Sequence, residues 1–238
     1  MKDNQDTAAW YNKSYNSQGF AAQRQYPNEE LMRFLGRNFF SIPLQERNKI
    51  KMLEVGCGSC SNLWAIAKEG FTAFGIDLSD ESIKLGHLML EKWGVKGELT
   101  VGSMAELPYE NNCFDVVCDV YSSYCLNDLQ FKNYLSEISR VLKPGGKVFS
   151  YTPSVNSDAF INHGPAEKID EHTLNGIYRK NSPYYGNFYP FRFTDPKKIK
   201  GLYKNFGVEI TNMELLNRTY RNEEENFQFI SLEGIKLS

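Results

Sequence analysis

Leu53-Glu54-Val55-Gly56-Cys57-Gly58-Ser59-Cys60 is the stretch from which the rest of the chain can be read. The apolar run Ile50 to Val55 enters a turn that carries two glycines. Ser61 to Lys68 follows, with Leu63, Ile66 and Ala67 spaced for one face of a helix. The expected local structure is therefore a buried strand, a tight turn and a helix. Glycine lets a backbone come close to a ligand, and a helix N-terminus presents unpaired N–H groups. Phe71 to Ile76 reads as the next strand and ends at Asp77, about 20 residues beyond the turn. A carboxylate there can accept hydrogen bonds from both hydroxyls of a ribose, in the crevice at the carboxyl ends of the strands. To this point the pattern implies an adenosine-containing ligand, and a dinucleotide would fit nearly as well.

Outward from this unit, strand and helix patterns alternate. Ser79 is a natural N-cap for a helix from Asp80 to Trp93. Leu99 to Val101 and Phe114 to Val120 read as strands. Asp128 is placed to cap a helix in which Phe131, Leu135, Ile138 and Leu142 keep helical spacing. Lys143-Pro144-Gly145-Gly146 ends that helix, and Lys147 to Tyr151 forms a fifth strand. Such alternation implies parallel pairing through right-handed crossovers. Thr194 to Phe206 reads as helical, and Val208 to Leu216 and Phe227 to Leu237 as an antiparallel strand pair. The expected fold is α/β: a Rossmann-like seven-stranded sheet, mostly parallel with an antiparallel C-terminal strand, and helices on both faces. One domain over residues 1–238 is expected. It comprises an N-terminal helical cap (1–45), a cofactor-binding core (46–151), a lid-like insertion (152–193), and a helix with the strand pair (194–238).

In its ordered motifs the chain resembles the class I S-adenosylmethionine-dependent methyltransferases of small-molecule type. Glu54-Val55-Gly56-Cys57-Gly58 is similar to their first motif, and Asp77 to the acidic residue that holds the ribose. Gly102-Ser103-Met104-Ala105-Glu106-Leu107-Pro108 resembles the segment beside the adenine. Phe114-Asp115-Val116-Val117 and Val141-Leu142-Lys143-Pro144-Gly145-Gly146 resemble the fourth-strand entry and the turn before the fifth strand. The resemblance implies S-adenosyl-L-methionine as cofactor and S-adenosyl-L-homocysteine as product. It implies cofactor contacts from Glu54, Gly56, Cys57, Gly58, Asp77, Leu78, Ser103, Met104, Ala105, Asp119, Val120 and Tyr121. Cys60 replaces the third glycine of many members, and Ser103 replaces an acidic residue, so backbone groups at Met104 and Ala105 are expected to matter more. Gly56→Val is expected to abolish cofactor binding while leaving the fold largely intact.

A sulfonium methyl is already activated, so no metal site is expected, and the protein's task is alignment of the acceptor. Where a proton must leave, the candidate catalytic residues are His163, His172 and Tyr124; the plainer reading of both histidines is a polar loop residue. Trp10, Tyr11, Tyr15 and Tyr26 either pack an N-terminal helix on the sheet or close over the sulfonium. Segment 152–193 carries Phe160, Tyr178, Tyr184, Tyr185, Phe188, Tyr189 and Phe191, which suits a lid over an acceptor site, a structural subdomain or a dimer interface.

Twenty-seven basic and 29 acidic residues leave a net charge of −2, which advertises no nucleic-acid or membrane partner. The N-terminus has acids and amides in place of an apolar leader, and five cysteines make no secreted framework, so cytoplasmic residence is expected. The partner is expected to be a small-molecule O or N acceptor such as a sugar, lipid or secondary metabolite, with the protein a monomer or homodimer. The alternatives are a nicotinamide-dependent Rossmann oxidoreductase and a non-catalytic adenosine-ligand-binding module.

Overall fold

The structure, a computed structural model, describes residues 2–237. Its parallel core follows the sequence pattern closely. β1 (Lys51–Val55), β2 (Thr72–Asp77), β3 (Glu98–Val101), β4 (Phe114–Val120) and β5 (Leu142–Pro153) alternate with α3 (Leu63–Lys68), α4 (Asp80–Lys92) and α5 (Asp128–Val141). The antiparallel hairpin is β8 (Val208–Tyr220) with β9 (Glu225–Lys236), entered from α7 (Ile199–Asn205). One seven-stranded sheet results, in the order β3-β2-β1-β4-β5-β9-β8, with β1 to β5 parallel and β9 antiparallel to β5 and β8.

The order puts β1 and β4 side by side at the centre, where the winding direction of the sheet reverses. Successive residues of a strand point to opposite faces. Met52 and Val116 accordingly join one core layer, and Leu53 and Val117 the other. The first layer is covered by α2 (Glu29–Phe39), which buries Leu31, Phe34, Leu35 and Phe39. Full burial of such side chains contributes about 1.5–3 kcal/mol each, which offsets part of the cost of ordering an 11-residue helix. Asn28 caps α2 by accepting from the amides of Glu30 and Leu31. The second layer is covered by α5 and α7, through residues such as Leu135, Ile138 and Tyr203.

Several boundaries depart from the sequence pattern. Ser79 caps α4 by accepting from the Ser82 amide, but α5 is capped by Asn127 in a reciprocal box with Gln130. Asp128 is instead the first residue of that helix and accepts from His172 and Arg192. Leu142 belongs to β5, and the helix expected from Thr194 begins only at Ile199. The hairpin is longer than its alternating pattern implied, because β8 runs on to Tyr220.

Segment 152–193 is a packed subdomain. It holds α6 (Asp158–Ile161) and a two-stranded ribbon of β6 (Thr173–Leu174) with β7 (Phe191–Arg192). Leu174, Phe191 and Phe193 are completely buried, and Phe193 packs on Phe160 and Phe227. Tyr178, Tyr185 and Phe188 form a partly exposed aromatic group away from this core. Ahead of everything lies α1 (Lys2–Gln18), which packs against α4 and carries Tyr11 and Tyr15 over the carboxyl ends of the strands. Among the described residues no helix is long and apolar enough to cross a membrane.

Candidate functional site

The turn after β1 shows why its residues are small. Gly56 and Gly58 have φ of +62° and +51°, in the left-handed region that only glycine enters without cost. A Cβ on Gly56 would lie 2.2 Å from the Cβ of Ser122. Ser122 cannot yield easily, since its hydroxyl lies within hydrogen-bond reach of Val55 O at 2.7 Å and Asp119 Oδ1 at 2.6 Å, and its amide donates to Asp119 Oδ1 at 3.1 Å. The expectation that a side chain at Gly56 would spare the fold is therefore overturned: the neighbour it strikes is the protein itself. Cys60, read as a departure from glycine, keeps the glycine conformation at φ +64° and buries its side chain completely.

Asp77 ends β2 beside this turn. Its Oδ2 accepts from the Gly58 amide at 2.8 Å, and its Oδ1 from the Ser79 amide at 2.9 Å. Burial pushes its carboxyl upward, against the pull of these two amides. Each oxygen keeps a further lone pair for a ligand. Asp77, Leu78, Ser103 and Met104 form one wall of a cavity of about 640 Å³, and Gly56, Tyr121 and Ser122 form its floor. Thr7, Tyr11 and Tyr15 of α1 close it from above. The Tyr15 hydroxyl is buried there without a hydrogen-bond partner. Ala105 stays out of the lining; its amide donates to Ser103 Oγ at 3.2 Å.

A second cavity, about 970 Å³, lies on the other side of Gly56 and shares Tyr11, Gln23, Gly56 and Tyr121 with the first. Glu54 and Cys57 form its floor with Val120. Glu54 is 1% exposed. Its Oε1 accepts from Asn62 Nδ2 at 2.5 Å, while Oε2 has no partner. Burial raises its pKa to about 8, with Asn62 and Arg24 pulling the other way. Asn62 in turn accepts from the Asn28 amide at 2.8 Å, which ties the start of α2 to the turn. The walls are aromatic: Tyr151 and Phe229 are stacked at 5.0 Å, and Tyr121 and Tyr184 at 4.9 Å. Arg24 and Arg218 also line it.

Where the cavities meet, three phenols from distant segments form a triangle. Tyr11 and Tyr124 are 2.5 Å apart, Tyr11 and Tyr189 3.0 Å, and Tyr124 and Tyr189 2.9 Å. Burial raises all three pKa values, so the triangle consists of neutral hydroxyls. Tyr121, two residues beyond Asp119, has φ +59°, a strained conformation for a bulky residue and one often found at functional sites.

Other residues singled out from the sequence lie elsewhere. Asp119 is completely buried, with both oxygens occupied by Ser122, Ser123 and Ser150, so it braces the loop after β4 and faces neither cavity. His163 donates from Nδ1 to Ala166 O at 2.8 Å, and His172 is held by Asp128 Oδ2 at 2.9 Å; neither lines either of these two cavities. Tyr26 is 65% exposed and packs edge-on against the stacked pair Trp64 and Trp93. Trp10 packs on Tyr11 and Tyr189 behind the cavity wall. Among the described residues no three His, Cys, Asp or Glu side chains gather as a metal-ligand set. Gln23, Arg24, Arg218, Tyr220 and Phe229 line the second cavity without any motif to announce them.

Comparison with known proteins agrees with this geometry. A family profile described as a methyltransferase domain matches residues 52–146. The demethylmenaquinone methyltransferase of Bacillus mycoides (strain KBAB4) is 36% identical over 104 residues, or 41% of this chain and 42% of that protein. The chain thus spans about two fifths of the length of the curated relatives it matches. Among solved structures, a SAM-dependent methyltransferase from Methanosarcina mazei superposes with a TM-score of 0.60 at 19% identity, over 79% of this chain and 92% of the other. Magnesium protoporphyrin IX methyltransferase from Synechocystis PCC 6803, solved with bound SAH, gives 0.66 at 10% identity, over 98% and 99%. At such identities the structures establish the fold, and the profile adds the domain type. Residues 52–146 thus match a methyltransferase domain, carried on a Rossmann-like fold that the chain shares with solved SAM-dependent methyltransferases.

Proposed function

We propose that this protein is an S-adenosylmethionine-dependent methyltransferase acting on a small-molecule O or N acceptor. The observation that carries the reading is the pair of cavities joined at Gly56, one beside Asp77 and the other over Glu54. The donor set suits the cofactor. Asp77 has lone pairs for ribose hydroxyls, Leu78 and Met104 offer apolar contact to adenine, and the unpartnered Glu54 Oε2 suits an ammonium group. When bound, the cofactor would supply an activated methyl group for transfer to an acceptor lone pair, with the thioether as leaving group and the acceptor proton passing to solvent.

The chain's own contribution is alignment and shielding. Tyr11, Tyr121 and Tyr124 surround the junction of the cavities, and α1 covers the first cavity from solvent. Near-attack positioning of this kind contributes about 7–11 kcal/mol. The neutral phenols there can orient an acceptor by hydrogen bonding, but they are poor bases because burial keeps them protonated. Demethylmenaquinone and magnesium protoporphyrin IX, named for the relatives, are both ring systems, which accords with the aromatic walls here. Cytoplasmic residence and a monomeric or homodimeric state belong to the same proposal.

Calorimetry with S-adenosylmethionine, S-adenosylhomocysteine and NAD tests the cofactor, and a methyl-transfer screen with ring-containing alcohols and amines tests the activity. Micromolar binding of the first two with no heat from NAD is the expected result. A preference for NAD would replace the proposal with the oxidoreductase reading. Cofactor binding without turnover on any acceptor would favour a non-catalytic binding module.

A further inference from the structure

We infer that the acceptor carries an anionic group, carboxylate or phosphate, on a flat aromatic or conjugated body, and that Arg218 is the residue that selects it. The inference rests on the methyltransferase reading and adds to it a substrate class for the second cavity.

The first observation is the shape of the walls. Tyr151 and Phe229 are stacked with 10° between their planes, and Tyr121 and Tyr184 with 22°. Both pairs line the same open cavity. Planar rings bind such walls by offset stacking or edge contact.

The second observation is charge. Two guanidinium groups line this cavity, and the carboxyl group in the floor, Glu54, is pushed by burial toward its neutral form and would be paired with the ammonium group of a bound cofactor. Arg24 lies at the Glu54 end, where its Nε reaches Ser61 Oγ at 3.4 Å. There it stands beside the position assigned to the cofactor's amino-acid group. Arg218 is on β8, opposite Phe227 of β9, with its guanidinium carbon 5.8 Å from the centre of the Phe229 ring. It makes no ion pair or hydrogen bond among the described residues. Glu29, a carboxylate close enough to feel its charge, is already held by Arg33 at 2.7 Å. Arg218 is therefore an uncommitted cation at an aromatic slot. Guanidinium groups bind carboxylate and phosphate in a two-pronged geometry that neutral groups cannot match. A cofactor sulfonium in the neighbouring cavity would add a positive charge and reinforce the preference.

The test uses the full chain saturated with S-adenosylhomocysteine. The probes are 3-hydroxy-2-naphthoate and 3-hydroxy-2-naphthamide, which differ by one charge, with 2-naphthyl phosphate and inorganic phosphate. Binding is read by probe fluorescence, or by calorimetry for inorganic phosphate. The naphthoate or the naphthyl phosphate is expected to bind about tenfold tighter than the amide, the scale of a partly exposed charge-assisted bond. Which of the two anions binds better identifies the anionic group. Inorganic phosphate alone is expected to bind more weakly than the naphthyl phosphate, because it lacks the ring. Arg218→Gln should erase the preference, Arg218→Lys should keep part of it, and neither should change S-adenosylhomocysteine affinity. Equal binding of both anions and the amide, a preference that survives Arg218→Gln, or no probe binding at all would overturn the acceptor class while leaving the cofactor assignment standing. Failure of S-adenosylhomocysteine itself to bind would overturn the methyltransferase reading and this inference with it.

Discussion

Gly56 and Glu54 sit two residues apart and are constrained by opposite things. At Gly56 the limit is steric: φ is +62°, and Ser122 stands where a Cβ would go. Gly56→Ala should therefore destabilise the fold as well as the cofactor site. A left-handed non-glycine residue costs about 1–2 kcal/mol, and overpacking typically adds about 1–3. Thermal unfolding of the unliganded variant checks this; an unchanged midpoint would show that the Ser122 loop can move aside. At Glu54 the limit is electrostatic. Its folded pKa of about 8 lies above the ordinary 4.5, so the fold favours the protonated acid. The stabilising contribution of that proton is present below pH 4.5 and is lost as pH rises toward 8. The unliganded protein should lose stability across that window, and Glu54→Gln should flatten the slope. An ammonium group placed on Oε2 would draw the acid into its charged form. Binding of S-adenosylhomocysteine at neutral pH should then release up to one proton, measured by calorimetry in buffers of different ionisation heat. Buffer-independent heat would place the ammonium elsewhere.

The turn after β1, Asp77 at the end of β2 and the order of the parallel strands were legible because each is written locally, in glycine spacing and apolar runs. What was not legible depends on contacts between distant elements. The second cavity takes Arg24 from the segment before α2, Tyr184 from the insertion and Arg218 from the hairpin, and no spacing rule joins these positions. Cys60 looked like a lost glycine because the sequence shows residue type and not φ. Asn127 and Asp128 are both good caps, and the choice fell to Asn127 because Arg192 and His172 claim the aspartate. The tyrosine triangle is the strongest of these long-range links, since it joins α1, the loop after β4 and the insertion. Tyr11→Phe and Tyr189→Phe should each cost about 0.5–1.5 kcal/mol. The double variant should cost less than their sum, because each substitution breaks a bond the other shares. Strict additivity in denaturant unfolding would mean that the hydroxyls act independently.

For the molecule as a whole, the question is which part opens to admit ligands. The insertion was expected to be the lid, yet its ribbon and aromatic core are buried as deeply as the sheet, with Leu174, Phe191 and Phe193 at 0% exposure. It gives the second cavity one wall residue, Tyr184, and touches the junction through Tyr189. The first cavity is closed from above by α1, whose Thr7, Tyr11 and Tyr15 lie across it, with Gln23 beyond the helix. That helix packs on α4 and is fastened near its middle by hydroxyl bonds from Tyr11 and by Asn12, which accepts from Ser79 Oγ at 2.5 Å. Its apolar anchoring among the described side chains is one buried residue, Tyr15, with Trp10 and Tyr11 partly buried against the core, far less than the insertion has, so α1 belongs to the part of the fold that opens at lowest cost. A ligand held by Tyr15 and Asp77 would add contacts across exactly that seam. Amide hydrogen exchange should therefore show α1 and residues 19–25 exchanging fastest in the unliganded protein and gaining the most protection with S-adenosylhomocysteine, while residues 173–174 and 191–193 stay slow in both states. Protection concentrated in the insertion, with α1 unchanged, would return the lid to residues 152–193 and make the N-terminal helix a fixed wall.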